Sequence, residues 1–226
     1  MRNFVKTKLA MKLYPALVAL LLCSSLQAQN IIHTQRYASD NQKAEMGKVV
    51  LMGDSITDFW VNEHPSFFTD NGLIGRGISG EETAQMLLRF RSDVLALAPS
   101  TVVILAGIND IGQNLGDPYS EDNTLANIQS MTELARLHGA RVILCSVLPS
   151  SHFPWRPEIS DIPAKVAALN ARIRAYAQAN GLVYLDYYNA MVGPDGFTIR
   201  DGFTYDTVHP TSEGYELMET LLLSVL

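Results

Sequence analysis

The stretch Val49-Val50-Leu51-Met52-Gly53-Asp54-Ser55-Ile56-Thr57 decides the fold that this sequence predicts. Its first four residues form an uninterrupted apolar run, which is typical of a strand buried on both faces of a parallel sheet. Gly53 permits a sharp turn where the strand ends, and Ser55 then lies at the carboxyl edge of the sheet, where open α/β folds bind ligands. A helix beginning there would direct its free N–H groups toward an anion. Ser55 is therefore a candidate nucleophile; a strand that simply ends in a polar turn is the alternative.

Strands and helices alternate along the rest of the chain. Each predicted strand is a continuous apolar run, and each helix carries apolar residues at helical spacing. This pattern predicts one α/β domain with three layers, in which a parallel sheet of about five strands lies between two layers of helices. The predicted strands are 48–53, 73–76, 101–106, 141–147 and 182–185, and the predicted helices are 83–97, 125–137, 164–180 and 211–225. Residues 29–46 are predicted to be a lead-in arm or a short helix, and residues 186–205 an irregular stretch.

Residues 1–28 have the features of a secretory signal peptide. Basic side chains precede an apolar run too short to cross a bilayer comfortably, and small residues follow it. We predict cleavage after Ala28, which leaves a single domain, 29–226, exported to the periplasm or out of the cell with no stable membrane insertion. Cys23 raises the alternative of a lipid anchor, which the large Leu22 before it disfavours.

Composition excludes several kinds of partner. The chain contains 17 Lys and Arg against 23 Asp and Glu, and four of the basic residues belong to the leader, so the exported part is strongly acidic. This charge argues against nucleic acid or an anionic membrane surface as the partner.

Cys145 is the one cysteine after the leader and lies in an apolar run, which predicts a buried thiol and no internal disulfide. The sequence contains no Cys/His cluster with metal-ligand spacing.

Three polar motifs directly follow predicted strands, and a fourth precedes the last helix. They are Gly53-Asp54-Ser55, Ile78-Ser79-Gly80, Gly107-Ile108-Asn109-Asp110 and Asp206-Thr207-Val208-His209. Because parallel strands end at one edge of a sheet, the first three motifs can converge. Taken singly, each motif also has a structural explanation, as a turn glycine, a helix cap or a structural histidine.

Together the motifs supply the parts of a hydrolytic site. Ser55 needs a base, which His209 can provide, and Asp206, three residues earlier, can accept the other ring N–H and hold the tautomer. The backbone N–H of Ser55, the backbone N–H of Gly80 and the side-chain amide of Asn109 are candidate donors to an oxyanion.

The four motifs resemble those of the SGNH, or GDSL-type, esterase and lipase superfamily, and they occur in the family's order. The matching residues are Gly53-Asp54-Ser55-Ile56, Gly77-Ile78-Ser79-Gly80, Gly107-Ile108-Asn109-Asp110 and Asp206-Thr207-Val208-His209-Pro210. Two departures are visible: Ile56 replaces the Leu of the family name, and Glu81-Glu82-Thr83 stands where many members have Asp-Thr. A Gly-x-Ser-x-Gly elbow is missing around Ser55, which disfavours a standard α/β-hydrolase.

This resemblance implies a flavodoxin-like α/β/α sandwich and a two-step acyl transfer. It implies that Ser55 is the nucleophile, that His209 is the base and that Asp206 is its partner. It also implies an oxyanion hole formed by Ser55, Gly80 and Asn109. The implied reaction needs no metal and no organic cofactor.

The substrate is less closely specified than the chemistry. We predict contacts with substrate from Phe59, Trp60, Trp155 and Arg156, which lie in segments near the predicted site, as do Phe153 and Tyr205. Core packing is the alternative for each aromatic residue. Arg156 either binds a substrate carboxylate or pairs with Glu158.

Export and an acidic surface favour small polar esters, so we expect short acyl groups, such as O-acetyl groups on carbohydrates. Lysophospholipase, arylesterase and thioesterase activities remain alternatives within the same family. An acyltransferase, in which a sugar hydroxyl replaces water, is a further alternative. So is a carbohydrate-binding module without activity, although the presence of Ser55, Asp206 and His209 favours an enzyme.

Overall fold

The computed structural model describes residues 33–226, and the predicted signal peptide lies outside them. Five strands form one sheet in the order β2-β1-β3-β4-β5, and all neighbouring strands are parallel. The predicted parallel sheet is therefore confirmed. The strands are β1 Val49–Gly53, β2 Leu73–Gly77, β3 Thr101–Leu105, β4 Arg141–Cys145 and β5 Val183–Leu185.

The strand register brings three of the four motifs to one edge. Gly53, at the end of β1, is level with Gly77 at the end of β2 and with Leu105 at the end of β3. The chain leaves β1 toward β2 and later crosses back to β3, so the strand order reverses beside β1. Open α/β sheets bind ligands at such a reversal point, outside the carboxyl ends of the strands.

Helices cover both faces of the sheet, as the alternation of elements predicts. All five residues of β3 are buried, which explains why the four residues after Thr101 are all apolar. The helices are α1 Ala38–Asn41, α2 Ser55–Glu63, α3 Pro65–Asp70, α4 Thr83–Asp93, α5 Ile108–Ile111, α6 Glu121–Leu137, α7 Ile162–Ala179, α8 Tyr187–Met191 and α9 Ser212–Leu223. Within residues 33–226, none of these helices combines the length and apolar character needed to cross a membrane.

Several helix boundaries differ from the predicted ones for local reasons. The helix predicted over 83–97 ends at Asp93, and a separate 3-10 turn, Leu95–Leu97, follows it. The apolar residues of this turn continue the helical spacing, so the sequence pattern does not show where the helix ends. Helix α6 begins four residues earlier than predicted because the Ser120 hydroxyl accepts a hydrogen bond from the Asn123 N–H and caps it.

The stretch predicted to be irregular also contains a short helix, α8. The side chain of Asp186 caps it by accepting a hydrogen bond from the Asn189 N–H. Elsewhere in the core the prediction for Cys145 is confirmed, because its thiol is buried and burial raises the thiol's pKa.

Candidate active site

Ser55 is the first residue of helix α2 and follows β1 after a single residue, Asp54. The Asp54 side chain caps the helix, its Oδ1 accepting a hydrogen bond from the Ile56 N–H at 2.9 Å. This short strand-to-helix connection holds the serine at the carboxyl edge of the sheet. Ser55 is only 7% exposed, so it lies at the floor of a cleft.

His209 reaches Ser55 from the loop that precedes α9. The distance from Ser55 Oγ to His209 Nε2 is 2.8 Å, and His209 Nδ1 lies 2.6 Å from Asp206 Oδ2. An imidazole placed between a hydroxyl and a carboxylate in this way can take a proton from the hydroxyl. The structure thus brings together the three residues that the sequence analysis grouped.

The turn that presents Asp206 and His209 is held in place by its own backbone. Asp206 Oδ1 accepts hydrogen bonds from the backbone N–H groups of Val208 and His209, at 3.0 and 2.7 Å. Thr207 adopts a φ of +74°, which a β-branched residue rarely does, and its hydroxyl donates to the His152 carbonyl at 2.8 Å. Surrounding contacts therefore hold a conformation that the local sequence disfavours.

These hydrogen bonds also keep Asp206 ionised. Burial raises the pKa of Asp206, but the bonds from the His209 backbone, the His209 ring and the Val208 backbone outweigh burial. The pKa of this carboxyl therefore lies below its usual range. A permanent carboxylate at this position can orient the ring and stabilise its protonated form.

Gly80 and Asn109 line the same cleft as Ser55 and His209. Gly80 has a φ of +82°, a conformation that favours glycine. The Asn109 amide donates one hydrogen bond to the Glu81 carbonyl at 3.0 Å, and its oxygen accepts one from the Asn114 amide at 2.9 Å. The second N–H of the Asn109 amide is left for a group in the cleft.

The cleft above Ser55 has a volume of about 330 Å³. Its walls combine aromatic rings with small polar groups. It is lined by Ser55, Phe59, Ser79, Gly80, Asn109, Asn114, Trp155 and His209. Among residues 33–226, no three His, Cys, Asp or Glu side chains are grouped so that they could hold a metal ion.

Two of the four predicted substrate-binding residues line this cleft. The Phe59 ring lies 4.9 Å from the His209 ring, and the Trp155 ring lies 6.1 Å from it. Tyr205 also stacks against His209 at 6.4 Å, and its hydroxyl donates to Glu63. Trp155 and Tyr205 are 42% and 56% exposed, so both rings are open to a ligand from solvent.

The structure corrects the other two predictions. Trp60 is 1% exposed and stacks between Phe67 and Tyr215, so its ring belongs to the core and not to the cleft. Arg156 pairs with Glu158 and donates to the Gln113 carbonyl at 2.6 Å, and it does not line the cleft. This pairing is the alternative that the sequence analysis left open. Phe153, by contrast with Trp155, is fully buried.

A buried arginine that was not predicted from the sequence stabilises the turn Gly53-Asp54-Ser55, which we call the serine turn. Arg89, on α4, has no exposed surface and donates to the carbonyls of Gly53 and Arg76 at 3.1 and 2.9 Å. Its guanidinium also pairs with Glu81 at 2.6 Å and with Asp93 at 3.3 Å. It therefore joins the ends of β1 and β2 to the loop that carries Gly80.

Asp58 connects the cleft to a second concavity, a groove of about 630 Å³ beside β2. Its carboxylate accepts a hydrogen bond from Ser79, which lines the cleft, and pairs with Arg36, which lines the groove, both at 2.8 Å. The groove includes none of the predicted site residues. Asp58 therefore tethers the loop that carries Gly80 to the amino-terminal arm.

Comparisons with known proteins agree with this geometry. The model of the GDSL-like lipase/acylhydrolase family matches residues 51–217. A GDSL-like lipase from Bacteroides thetaiotaomicron VPI-5482 is 49% identical, with a TM-score of 0.83, over 85% of this chain and 96% of its own. A predicted acylhydrolase from Bacteroides fragilis NCTC 9343 is 48% identical, with a TM-score of 0.84, over 86% of this chain and 96% of its own.

More distant structures share the fold alone. An acetyl xylan esterase is 24% identical, with a TM-score of 0.65, over 79% of this chain and 99% of its own. None of the curated proteins compared with the chain matches it. On the family match and the two Bacteroides structures, this chain belongs to the GDSL-like lipase/acylhydrolase family of SGNH hydrolases and is a carboxylic ester hydrolase.

Proposed function

We propose that the protein is a serine esterase in which Ser55 is the nucleophile, His209 the general base and Asp206 the residue that orients the base. The observation that carries this proposal is the hydrogen-bonded series Ser55–His209–Asp206, with distances of 2.8 and 2.6 Å, at the floor of a cleft. Ser55 attacks the ester carbonyl while His209 Nε2 takes its proton. His209 then returns that proton to the departing alcohol, and water activated in the same way releases the acid.

The negative charge of the tetrahedral intermediate falls on the side of the cleft formed by Gly80 and Asn109. The backbone N–H groups of Ser55 and Gly80 and the free amide N–H of Asn109 are the proposed donors. Donors held in advance of the reaction contribute about 2.7–4 kcal/mol each to stabilising such a charge. The contacts of the Asn109 amide with Glu81 and Asn114 support its place in this set.

The proposed substrates carry short acyl groups. The cleft volume of about 330 Å³ lies at the lower end of the range of about 300–1,000 Å³ that small-molecule sites occupy. Polar side chains of Ser79, Asn109 and Asn114 line it beside the aromatic rings. A space of this size and polarity suits an acetyl group better than a long alkyl chain.

Carbohydrate is the proposed alcohol component of the ester. Trp155 and Tyr205 present exposed rings next to His209, and aromatic faces pack well against the apolar faces of sugars. One structure that shares this fold is an acetyl xylan esterase. Export through the leader predicted at 1–28 would bring the enzyme to glycans outside the cytoplasm.

The test is ester hydrolysis by the chain 29–226 and by its Ser55→Ala variant. The substrates are p-nitrophenyl acetate, butyrate and octanoate, together with acetylated xylo-oligosaccharides and a lysophospholipid. We expect turnover that falls with chain length, release of acetate from the oligosaccharides, and no turnover above background in Ser55→Ala.

A matched control is Ser130→Ala, because the Ser130 hydroxyl donates to the Ala126 carbonyl on the outer helix α6, away from the cleft. It should retain wild-type activity. Faster cleavage of octanoate or of the lysophospholipid would overturn the short-acyl proposal. Equal rates from wild type and Ser55→Ala would overturn the catalytic proposal and favour a binding module, and transfer of acetyl to a sugar acceptor would identify an acyltransferase.

A further inference from the structure

We propose that Asn114 is a positioning residue of the oxyanion hole, which holds the Asn109 amide and the Gly80 loop in the orientation that the reaction requires. The inference rests on the proposed esterase function. Asn114 belongs to none of the four sequence motifs and lies in the loop after α5.

The side chain of Asn114 is bonded at both ends. Its amide Nδ2 donates to Asn109 Oδ1 at 2.9 Å and to the Gly80 carbonyl at 3.2 Å. Its Oδ1 accepts a hydrogen bond from the Trp155 indole Nε1 at 3.3 Å. The Asn114 amide therefore connects two proposed parts of the oxyanion hole, the Asn109 side chain and the backbone at Gly80, to the Trp155 ring that lines the cleft.

The direction of these bonds follows from the chemistry of the groups at their ends. An indole N–H can only donate and a backbone carbonyl can only accept, so Trp155 and Gly80 together determine which end of the Asn114 amide is oxygen. Asn114 then presents a donor to Asn109, whose near atom must be its oxygen. The Asn109 nitrogen is consequently turned toward the Glu81 carbonyl and the cleft. Without Asn114, the oxygen of Asn109 loses its donor, and only the bond to the Glu81 carbonyl still holds this orientation.

The loop that carries Asn114 is anchored independently of the Asn114 side chain. The Gln113 carbonyl accepts a hydrogen bond from Arg156 at 2.6 Å, and the Leu115 N–H donates to Glu82 Oε1 at 2.7 Å. Replacement of Asn114 therefore leaves bonds on both sides of it in place. A change in activity can then be separated from a collapse of the loop.

A positioning role predicts a particular kinetic signature. Asn109 stabilises charge that develops only in the transition state, so loss of its orientation lowers kcat and leaves the ground-state affinity unchanged. We expect Asn114→Ala to lower kcat for p-nitrophenyl acetate roughly five- to tenfold, the effect of losing one uncharged hydrogen bond, with KM within about twofold of wild type. A methylboronic acid inhibitor, whose serine adduct places an oxygen in the hole, should bind more weakly by a similar factor.

A double-mutant cycle tests whether Asn114 acts through Asn109. Asn114→Ala is measured in the wild type and in Asn109→Ala. We expect its effect on kcat to shrink below about twofold in the Asn109→Ala background, since the group it orients is gone. An undiminished effect in that background would overturn the proposal, as would a raised KM with unchanged kcat, which would identify Asn114 as a substrate-binding residue.

Two further variants complete the experiment. Asn180→Ala removes another half-buried asparagine whose amide donates to the Tyr176 carbonyl at the end of α7, and it should leave kcat and KM unchanged. Ser55→Ala separates the two proposals. If Ser55→Ala is inactive while Asn114→Ala keeps the wild-type kcat, the positioning role of Asn114 fails and the esterase function stands. If Ser55→Ala remains active, the proposed function itself fails.

Discussion

Asp206 and His209 are joined by two hydrogen bonds, one to the backbone and one to the ring. Asp206 Oδ1 accepts the His209 backbone N–H at 2.7 Å, and Oδ2 faces His209 Nδ1 at 2.6 Å. One carboxylate therefore both closes the turn and orients the imidazole. A substitution that separates these two roles tests the proposed mechanism more sharply than removal of the side chain.

Asp206→Asn is such a substitution. The amide oxygen can still accept the His209 backbone N–H, so we expect the melting temperature to fall by only a few degrees. The amide nitrogen donates to Nδ1 and so favours the ring tautomer that carries its proton on Nε2, which cannot accept the proton of Ser55. We therefore expect kcat to fall by about 10³–10⁴, as in other serine triads. Activity assays and thermal melts of Asp206→Asn and Asp206→Ala check this. If Asp206→Asn kept more than a tenth of the activity, Asp206 would not be the orienting residue.

The fully buried Asp54 should make stability depend on pH. Burial raises the pKa of Asp54 to about 7. The hydrogen bond from the Ile56 N–H lowers this pKa, and the nearby charge of Asp110 raises it further. A raised carboxyl pKa means that the folded state prefers the protonated form. The associated stability is complete below the ordinary pKa near 4 and is lost as the pH rises toward 7.

Asp54→Asn removes this titration while keeping the oxygen that accepts the Ile56 N–H. Between pH 5 and pH 8, we expect the wild type to lose on the order of 2–3 kcal/mol of unfolding free energy relative to Asp54→Asn. Urea denaturation at both pH values measures the difference, with the exposed Asp201→Asn as a control for the loss of one charge. Parallel pH curves for wild type and Asp54→Asn would show that Asp54 is not the group responsible.

Gly77 should tolerate no side chain, because β2 packs directly on the first turn of α2 there. A Cβ at Gly77 would lie 2.3 Å from the Asp58 backbone nitrogen and 2.6 Å from the Asp54 carbonyl oxygen. We expect Gly77→Ala to displace the serine turn, to lower kcat and to cost about 1–3 kcal/mol of stability.

Gly193→Ala is the matched control, since its added Cβ would meet its nearest neighbours at 3.4 Å and beyond, an ordinary contact distance. It should have near wild-type stability and activity in the same melts and assays. Wild-type kcat in Gly77→Ala would mean that the turn can move without loss of function.

The two tryptophans should respond differently to substitution. Trp155→Ala removes an exposed wall of the cleft, so we expect KM for acetylated xylo-oligosaccharides to rise about three- to tenfold, with a smaller rise for p-nitrophenyl acetate. Trp60→Phe removes the indole N–H that donates to the half-buried Glu219 at 3.0 Å, so the unfolding free energy should fall while KM stays unchanged. Steady-state kinetics and urea denaturation of both variants check the contrast. An unchanged KM in Trp155→Ala would remove Trp155 from the proposed sugar site.

The apolar runs predicted the strands correctly because strands buried on both faces have no polar positions to confuse the pattern. The convergence of Ser55, Gly80 and Asn109 could also be predicted, because these residues follow parallel strands, whose carboxyl ends lie at one edge of the sheet. Helix ends were predicted less well, because a cap such as Ser120 is a single residue with many alternative uses. Trp60 and Phe59 are neighbours on one helix, and the sequence does not indicate which of them faces the core.

Arg89 shows why the supporting residues could not be predicted. A charged residue on an amphipathic helix is ordinarily exposed, and Arg89 becomes buried only because Gly53, Arg76 and Glu81, from three separate segments, supply its partners. The sequence by itself determined the parallel sheet, the candidate nucleophile and the base, because these depend on local patterns and on strand direction. Tertiary structure alone decided that Trp155 and Asn114 line the cleft while Trp60 and Arg156 do not, because hydrogen bonds and packing between segments distant in the sequence place those side chains.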